Sequence, residues 1–134
     1  MRSEVTTHDT SSMRILDLTD ELHRFARSAG ADGLVHVFVP HATAGLAIME
    51  TGSGSEGDLL DALERLLPRD DRYRHSHGSR GHGGDHVVPA FVSPSVSIPV
   101  VDGAPALGTW QSLVLVDTNV DNPQRKVRWS FLPA

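Results

Sequence analysis

The stretch Gly33-Leu-Val-His-Val-Phe-Val-Pro-His-Ala-Thr-Ala-Gly-Leu-Ala-Ile-Met-Glu50 decides the class of fold. Its first seven residues put Val35, Val37 and Val39 on one face, the two-residue period of a strand. Pro40 cannot donate to a sheet ladder and ends that strand. A second strand is expected over Ala44–Met49. Upstream, Met13–Leu18 alternates loosely and reads as a strand. Residues 1–12, polar and rich in Ser and Thr, read as an edge strand or a frayed end. Between these strands Leu22, Phe25 and Ala26 recur at helical spacing, with Thr19 or Asp20 as N-cap and Gly30 as C-cap. Downstream, a Gly- and Ser-rich turn leads to a second helix opened by Asp58. Its apolar stripe is Leu59, Leu60, Leu63, Leu66 and Leu67, and Pro68 stops it. Short β-like runs follow at Val87–Val92, Ser95–Val101, Thr109–Val116 and Lys126–Phe131, with Asp102-Gly103 as a tight-turn signal. This order lacks the regular alternation of a doubly wound fold. It predicts an α+β chain, mostly β: a β-sandwich with two helices on its margin.

The length, 134 residues, fits one domain spanning 1–134. There is no cysteine, which excludes disulfides, thiolate metal sites and a cysteine nucleophile, and is compatible with a reducing cytosol. The longest apolar runs, such as Leu113–Val116, are far too short to cross a bilayer, and the N-terminus lacks the apolar region of a secretory signal. A cytoplasmic protein with no membrane partner is therefore expected. The net charge of −5 argues against a nucleic-acid partner, which needs a basic face. Two local groups run against that balance: Arg69, Arg72, Arg74 and Arg80, and Arg125, Lys126 and Arg128. Each reads either as solvated surface or as an anion site.

Chemistry is concentrated in the histidines, of which there are eight. His41 follows Pro40 where a strand ends, and Glu50 closes the next one. The polar stretch 69–86 carries four His (His75, His77, His82 and His86), four Gly and four Arg. A loop that long inside a compact domain is often functional. Neutral imidazole is a ligand for zinc and similar ions, carboxylate oxygens complete such shells, and imidazole also exchanges protons near neutrality. His41, Glu50 and His86 are the expected centre of a polar site. His77 and His82 read as mobile surface residues of a polar loop. Trp110 reads as core or interface, Gln111 as a polar group at a strand start, and Thr109 as a hydroxyl that a site could use.

These residues resemble a known family. His41-Ala-Thr-Ala-Gly-Leu-Ala-Ile-Met-Glu50 looks like the HT(S/T)AxLxxNE segment of the YjbQ-like proteins, and Asp58 matches their helix-opening Asp. His86 matches the His before the SLTLPV-type strand, here Ser95-Val-Ser-Ile-Pro-Val100. Asp102-Gly103 with Leu107-Gly-Thr-Trp-Gln111 resembles DGxxxLGTWQ. Arg125 falls where the family has an Arg before its last strand, and His75 aligns with a further His. Met49 stands where the family usually has Asn, Ser53-Gly54 replaces Asp-Pro, and Ala104 replaces Arg.

The resemblance implies a compact β-rich sandwich assembled as a homotrimer. It also implies the activity of a secondary thiamine-phosphate synthase, a transferase joining hydroxymethylpyrimidine diphosphate to a thiazole phosphate with release of pyrophosphate. On this reading His41, Glu50 and His86 are catalytic. His41, His75 and His86 hold a divalent metal (zinc, manganese or magnesium). Thr43, Asp58, Thr109, Gln111 and Arg125 contact a phosphorylated small molecule. Two other classes compete with the enzyme: a small-molecule or metal-binding protein without turnover, and a structural trimer whose histidines serve the interface.

Overall fold

The computed structural model describes residues 1–134. Eight strands and four helical segments follow in the order β1 (Arg2–Asp9), β2 (Ile15–Asp17), α1 (Thr19–Ala29), β3 (Gly33–Phe38), β4 (Gly45–Met49), α2 (Ser55–Leu66), α3 (His82–Asp85), α4 (Val88–Phe91), β5 (Ser95–Val101), β6 (Ala104–Pro105), β7 (Ser112–Val116) and β8 (Gln124–Pro133). One sheet has the order β1-β8-β3-β5-β6 and the other β2-β7-β4, with every pairing antiparallel. This is the mostly-β α+β architecture that the alternating valines imply.

Alternation fixes which side of each strand is buried. Val35 and Val37 of β3, Ile98 and Val100 of β5, and Val127, Trp129 and Phe131 of β8 point inward. They meet Leu46 of β4, Leu113 and Leu115 of β7, and Leu22, Phe25 and Ala26 of α1. β7 is buried on both faces. Val114 and Val116 turn the other way, joining Ile15, Leu63 of α2, Val88 and Val92 in a second apolar cluster. A strand covered on two sides reads as a continuous apolar run, which is why Leu113-Val-Leu-Val116 lacks polar interruption.

Several local expectations are corrected. Val87–Val92 is not a strand but a single helical turn, with Pro89 in its first turn where no N–H is needed. α2 begins at Ser55, three residues before Asp58, and Leu66 is exposed rather than part of the buried stripe. Thr19 and Asp20 lie inside α1. Asp17 accepts the Thr19 N–H at 2.8 Å, and Thr19 Oγ1 accepts the Leu113 N–H at 3.0 Å. Residues 2–9 form a full edge strand, paired with β8 from Arg2↔Phe131 to Asp9↔Gln124. Asp102 and Gly103, at φ 52° and 73°, make the tight β5–β6 turn. Trp129 is a core residue bonded through Nε1 to Thr6, whereas Trp110 is 73% exposed.

Six connections carry the polypeptide between the sheets, and three of them are residues 10–14 from β1 to β2, 39–44 from β3 to β4, and 117–123 from β7 to β8. These three converge on one buried polar hub. Arg125 donates from Nε and Nη2 to the two carboxylate oxygens of Asp117 at 2.7 and 2.9 Å. Its Nη2 also donates to Thr43 at 2.8 Å, and Thr10 Oγ1 donates to Asp117 at 2.6 Å.

The two-sided burial of β7 has a measurable consequence. Leu115→Ala is expected to lower unfolding stability by roughly 2–5 kcal/mol, the range for emptying a packed leucine site. Leu132→Ala, on the exposed side of β8, should change it by about 0.5 kcal/mol or less. Urea unfolding of the two variants compares them directly, and equal losses would contradict the packing described.

Candidate metal centre

The stretch 69–86 is held by its own contacts. Gly83 and Gly84 lie under the Tyr73 ring. A Cβ on Gly83 would stand 2.3 Å from the His75 carbonyl oxygen, and one on Gly84 would stand 2.9 Å from the Tyr73 ring. Glycine is needed at both positions because any side chain would push the 73–75 segment away. Tyr73 donates its hydroxyl to the Pro68 carbonyl at 2.8 Å. Beneath α3, Arg69 is paired with buried Asp85 and also donates to the Thr118 carbonyl at 3.0 Å.

This packing gathers four imidazoles. One potential ligand nitrogen from each of His75, His77, His82 and His86 falls within 4.8 Å of the others. Ring centroids are 4.2 Å apart for His75–His77 and His75–His86, and 4.6 Å for His82–His86. The Nε2 atoms of His82 and His86 approach to 2.8 Å. His82 is buried and His86 half-buried, while His75 and His77 are exposed on the outer side. The reading of His82 as a surface residue is therefore corrected, since it is buried, while His77 lies on the surface as expected; both belong to the cluster. The missed signal was glycine at 83 and 84, whose bare backbone lets the two halves of the loop touch.

The crossing segment 117–123 supports the cluster from below. Asp121 accepts from His82 Nδ1 at 2.7 Å and from the backbone N–H and hydroxyl of Ser79 at 3.2 and 3.0 Å. The Ser79 backbone N–H leads the interactions that hold this carboxyl below its ordinary range. A carboxylate can only accept, so Nδ1 of His82 carries the proton, and the lone pair of the neutral ring lies on Nε2, facing His86. His86 and His75 are both pushed below the ordinary imidazole pKa, first by loss of solvation and then by the neighbouring rings. With the ring proton between His82 Nε2 and His86 Nε2 displaced, four imidazole nitrogens this close are the donor set of a zinc-type centre, so the residues fit a divalent metal. Beside them lies a pocket of about 190 Å³ lined by Tyr73, His75, His77, Ser79, Arg80 and His82 among others.

The remaining expected site residues fall elsewhere. His41 and Thr43 sit on the 39–44 crossing next to Arg125. His41 Nε2 accepts the Lys126 N–H at 2.8 Å, replacing the ladder partner that β3 no longer supplies after Pro40. Arg125 and Thr43 are spent on the buried hub. Glu50 is exposed beyond the opposite end of β4 from His41. Thr109 and Gln111 are also at that end, since Met49 pairs with Ser112, and Gln111 folds back on the Gly108 N–H at 2.8 Å. Asp58 is exposed in the first turn of α2. Within one chain, then, His75 and His86 come together, His41, Thr43 and Arg125 form a second group, and Glu50 lies with Thr109 and Gln111 in a third.

His41 gives a pH prediction. Burial foremost, and the Arg125 guanidinium next, push its pKa below 6.5. The unfolded chain therefore takes up this proton first, and the stability His41 contributes is present above about pH 6.5 and lost as pH falls below it. His41→Gln keeps an acceptor for Lys126 but cannot titrate. Its unfolding free energy should fall less than the wild type's between pH 7 and 5, and parallel curves would contradict this assignment.

Comparison with known proteins agrees with the fold. Residues 3–134 match the family described as UPF0047 protein YjbQ-like. The chain is similar to the UPF0047 protein Rv2556c of Mycobacterium tuberculosis, at 64% identity over 98% of each chain. It is 33% identical to a UPF0047 protein of Archaeoglobus fulgidus over 92% of this chain and 94% of that one. Among solved structures it resembles hypothetical protein APE1520 from Aeropyrum pernix K1, with a TM-score of 0.89, 28% identity and full coverage of both chains. It also resembles an uncharacterized conserved protein of the yjbq/upf0047 family from Clostridium acetobutylicum, with a TM-score of 0.86, 27% identity and coverage of 96% and 99%. With two sheets in this order and a profile match over almost its whole length, the chain belongs to the YjbQ-like UPF0047 family.

Proposed function

We propose that this protein is a metal-dependent transferase acting on a phosphorylated small molecule, with its centre at His75, His77, His82 and His86. The observation that carries this reading is the convergence of four imidazole nitrogens within 4.8 Å. The finer reading is thiamine-phosphate-synthase-type transfer. There the C–O bond to the diphosphate breaks, the thiazole nitrogen bonds the freed methylene carbon, and pyrophosphate leaves with the electron pair. A divalent cation bound by the imidazoles would supply charge neutralisation for that leaving group. The chain itself contributes Arg80, which lines the adjoining pocket, and Arg74, one residue before His75 and exposed. Both suit a phosphate oxygen. The packed turn 81–85 holds His82 and His86 in place while a substrate binds on the open side.

One observation favours a second reading, a metal-binding protein without turnover. Four imidazoles can fill a tetrahedral shell, the closed arrangement of structural sites, whereas catalytic sites keep a position open. Self-association belongs to either reading. The outer face of the five-stranded sheet exposes Val5, Leu34, Phe38, Val101 and Leu132, with Leu34 opposite both Leu132 and Pro99. An apolar face of that kind suits the trimer that the sequence resemblance implies.

Isothermal titration of tag-free protein with zinc tests the centre. One ion per chain is expected, with binding lost in His86→Ala and His82→Ala and kept in His41→Ala. Binding lost in His41→Ala but kept in His82→Ala would move the centre away from the loop. Incubating the zinc-loaded protein with hydroxymethylpyrimidine diphosphate and thiazole phosphate then separates the readings: pyrophosphate release supports transfer, and its absence supports binding alone.

A further inference from the structure

We propose that Asp121 positions His82 as the anchoring donor of this centre, and that the all-imidazole set takes a late first-row divalent ion such as zinc or cobalt while rejecting magnesium and manganese. The inference rests on the metal-centre reading above and adds which ion is taken and which residue holds the first ligand.

Donor chemistry argues the selectivity. The four converging atoms are all ring nitrogens. The two carboxylates packed beneath the cluster are already committed. Asp121 accepts from His82 and twice from Ser79. Asp85 accepts from Arg69, Thr118 Oγ1 and Asn119 Nδ2. The converging set therefore contains no carboxylate oxygen. Magnesium demands oxygen ligands in octahedral array and manganese favours them, whereas imidazole suits zinc, cobalt, nickel and copper.

Hydrogen bonding argues the anchor. Of the four rings, only His82 has a carboxylate on its outer nitrogen. That contact fixes both tautomer and ring orientation, and a carboxylate behind a ligating histidine raises its basicity. Asn119 closes off alternatives. Its Oδ1 accepts the backbone N–H groups of Asp121 and Asn122 at 2.9 and 3.1 Å, so its amide nitrogen donates to Asp85 at 3.0 Å and, as it packs beside His82, offers Nδ1 no acceptor that competes with Asp121. His75 and His77, exposed and without such partners, complete the shell by closing onto a pair already in place.

Cobalt titration of the full chain, followed by its visible absorption, tests both halves. The expected result is a four-coordinate cobalt spectrum saturating at one equivalent. Zinc abolishes that spectrum, and excess magnesium or manganese leaves it unchanged. Asp121→Ala should weaken cobalt binding by about 10–100-fold, the usual cost of losing such a partner. Asp121→Asn, which keeps an acceptor but not the charge, should fall in between with shifted bands. Asp71→Asn, an equal charge change at an exposed site in the same loop, should bind as the wild type does. Cobalt binding unaffected by Asp121→Ala, matched losses in Asp71→Asn, or displacement by magnesium would each overturn this inference and leave the metal centre standing. No cobalt spectrum at all would overturn the centre as well.

Discussion

The ion pair between Arg125 and Asp117 is the contact on which the rest of this molecule depends. Asp117 directly follows β7, a strand buried on both faces, and Arg125 is the second residue of β8 in the other sheet. Both side chains are removed from water, at 1% and 2% exposure, so each must be answered by the other. A buried pair costs several kcal/mol of desolvation per ion, and only good geometry with further hydrogen bonds offsets that. The two-pronged contact, together with Thr43, Thr10 and the Asn119 N–H on Asp117, provides both. Because these partners come from three of the connections between the sheets, the pair fixes how the two sheets meet. It would break if any of those three were displaced.

From that hub the loop runs outward with its polar side chains at alternate positions. Asp117 faces Arg125, Asn119 faces Asp85 and His82, and Asp121 faces His82 and Ser79. One rigid segment thus serves the structural hub and the imidazole cluster together. The cluster's other half comes from the 73–77 segment, brought down by Tyr73 onto two bare glycine positions. Close packing and hydrogen bonds around one short helical turn, rather than a long helix or strand, hold the donors in place.

The fold was legible wherever a strand has one wet face and one dry one. Val35-Val37-Val39 and the apolar β7 run signal their burial directly. The failures have physical causes. Val87–Val92 has the composition of a strand, yet Pro89 and the need to turn after α3 make it one helical turn. Trp129 and Trp110 look alike in sequence, and only the register of β8 sends one into the core and leaves the other in water.

The site was half legible. His75 and His86 were readable through motif resemblance, and loop length with histidine enrichment pointed to the right stretch. His77 and His82 were not readable, because their place depends on how closely backbone passes backbone at Gly83 and Gly84. Nor could sequence show that His41 completes a sheet ladder at Lys126, since that role exists only once β3 stops one residue short of Pro40's neighbour Val39. Polarity marks a residue as available for chemistry, but long-range packing decides which polar residues meet.

The most direct test of the account is anomalous diffraction at the zinc edge from crystals grown with one equivalent of zinc. It predicts a single strong peak per chain enclosed by the ring nitrogens of His75, His77, His82 and His86, with Asp121 still bonded to His82 Nδ1. A peak at His41 or Glu50, or no ordered peak in any chain, would contradict it.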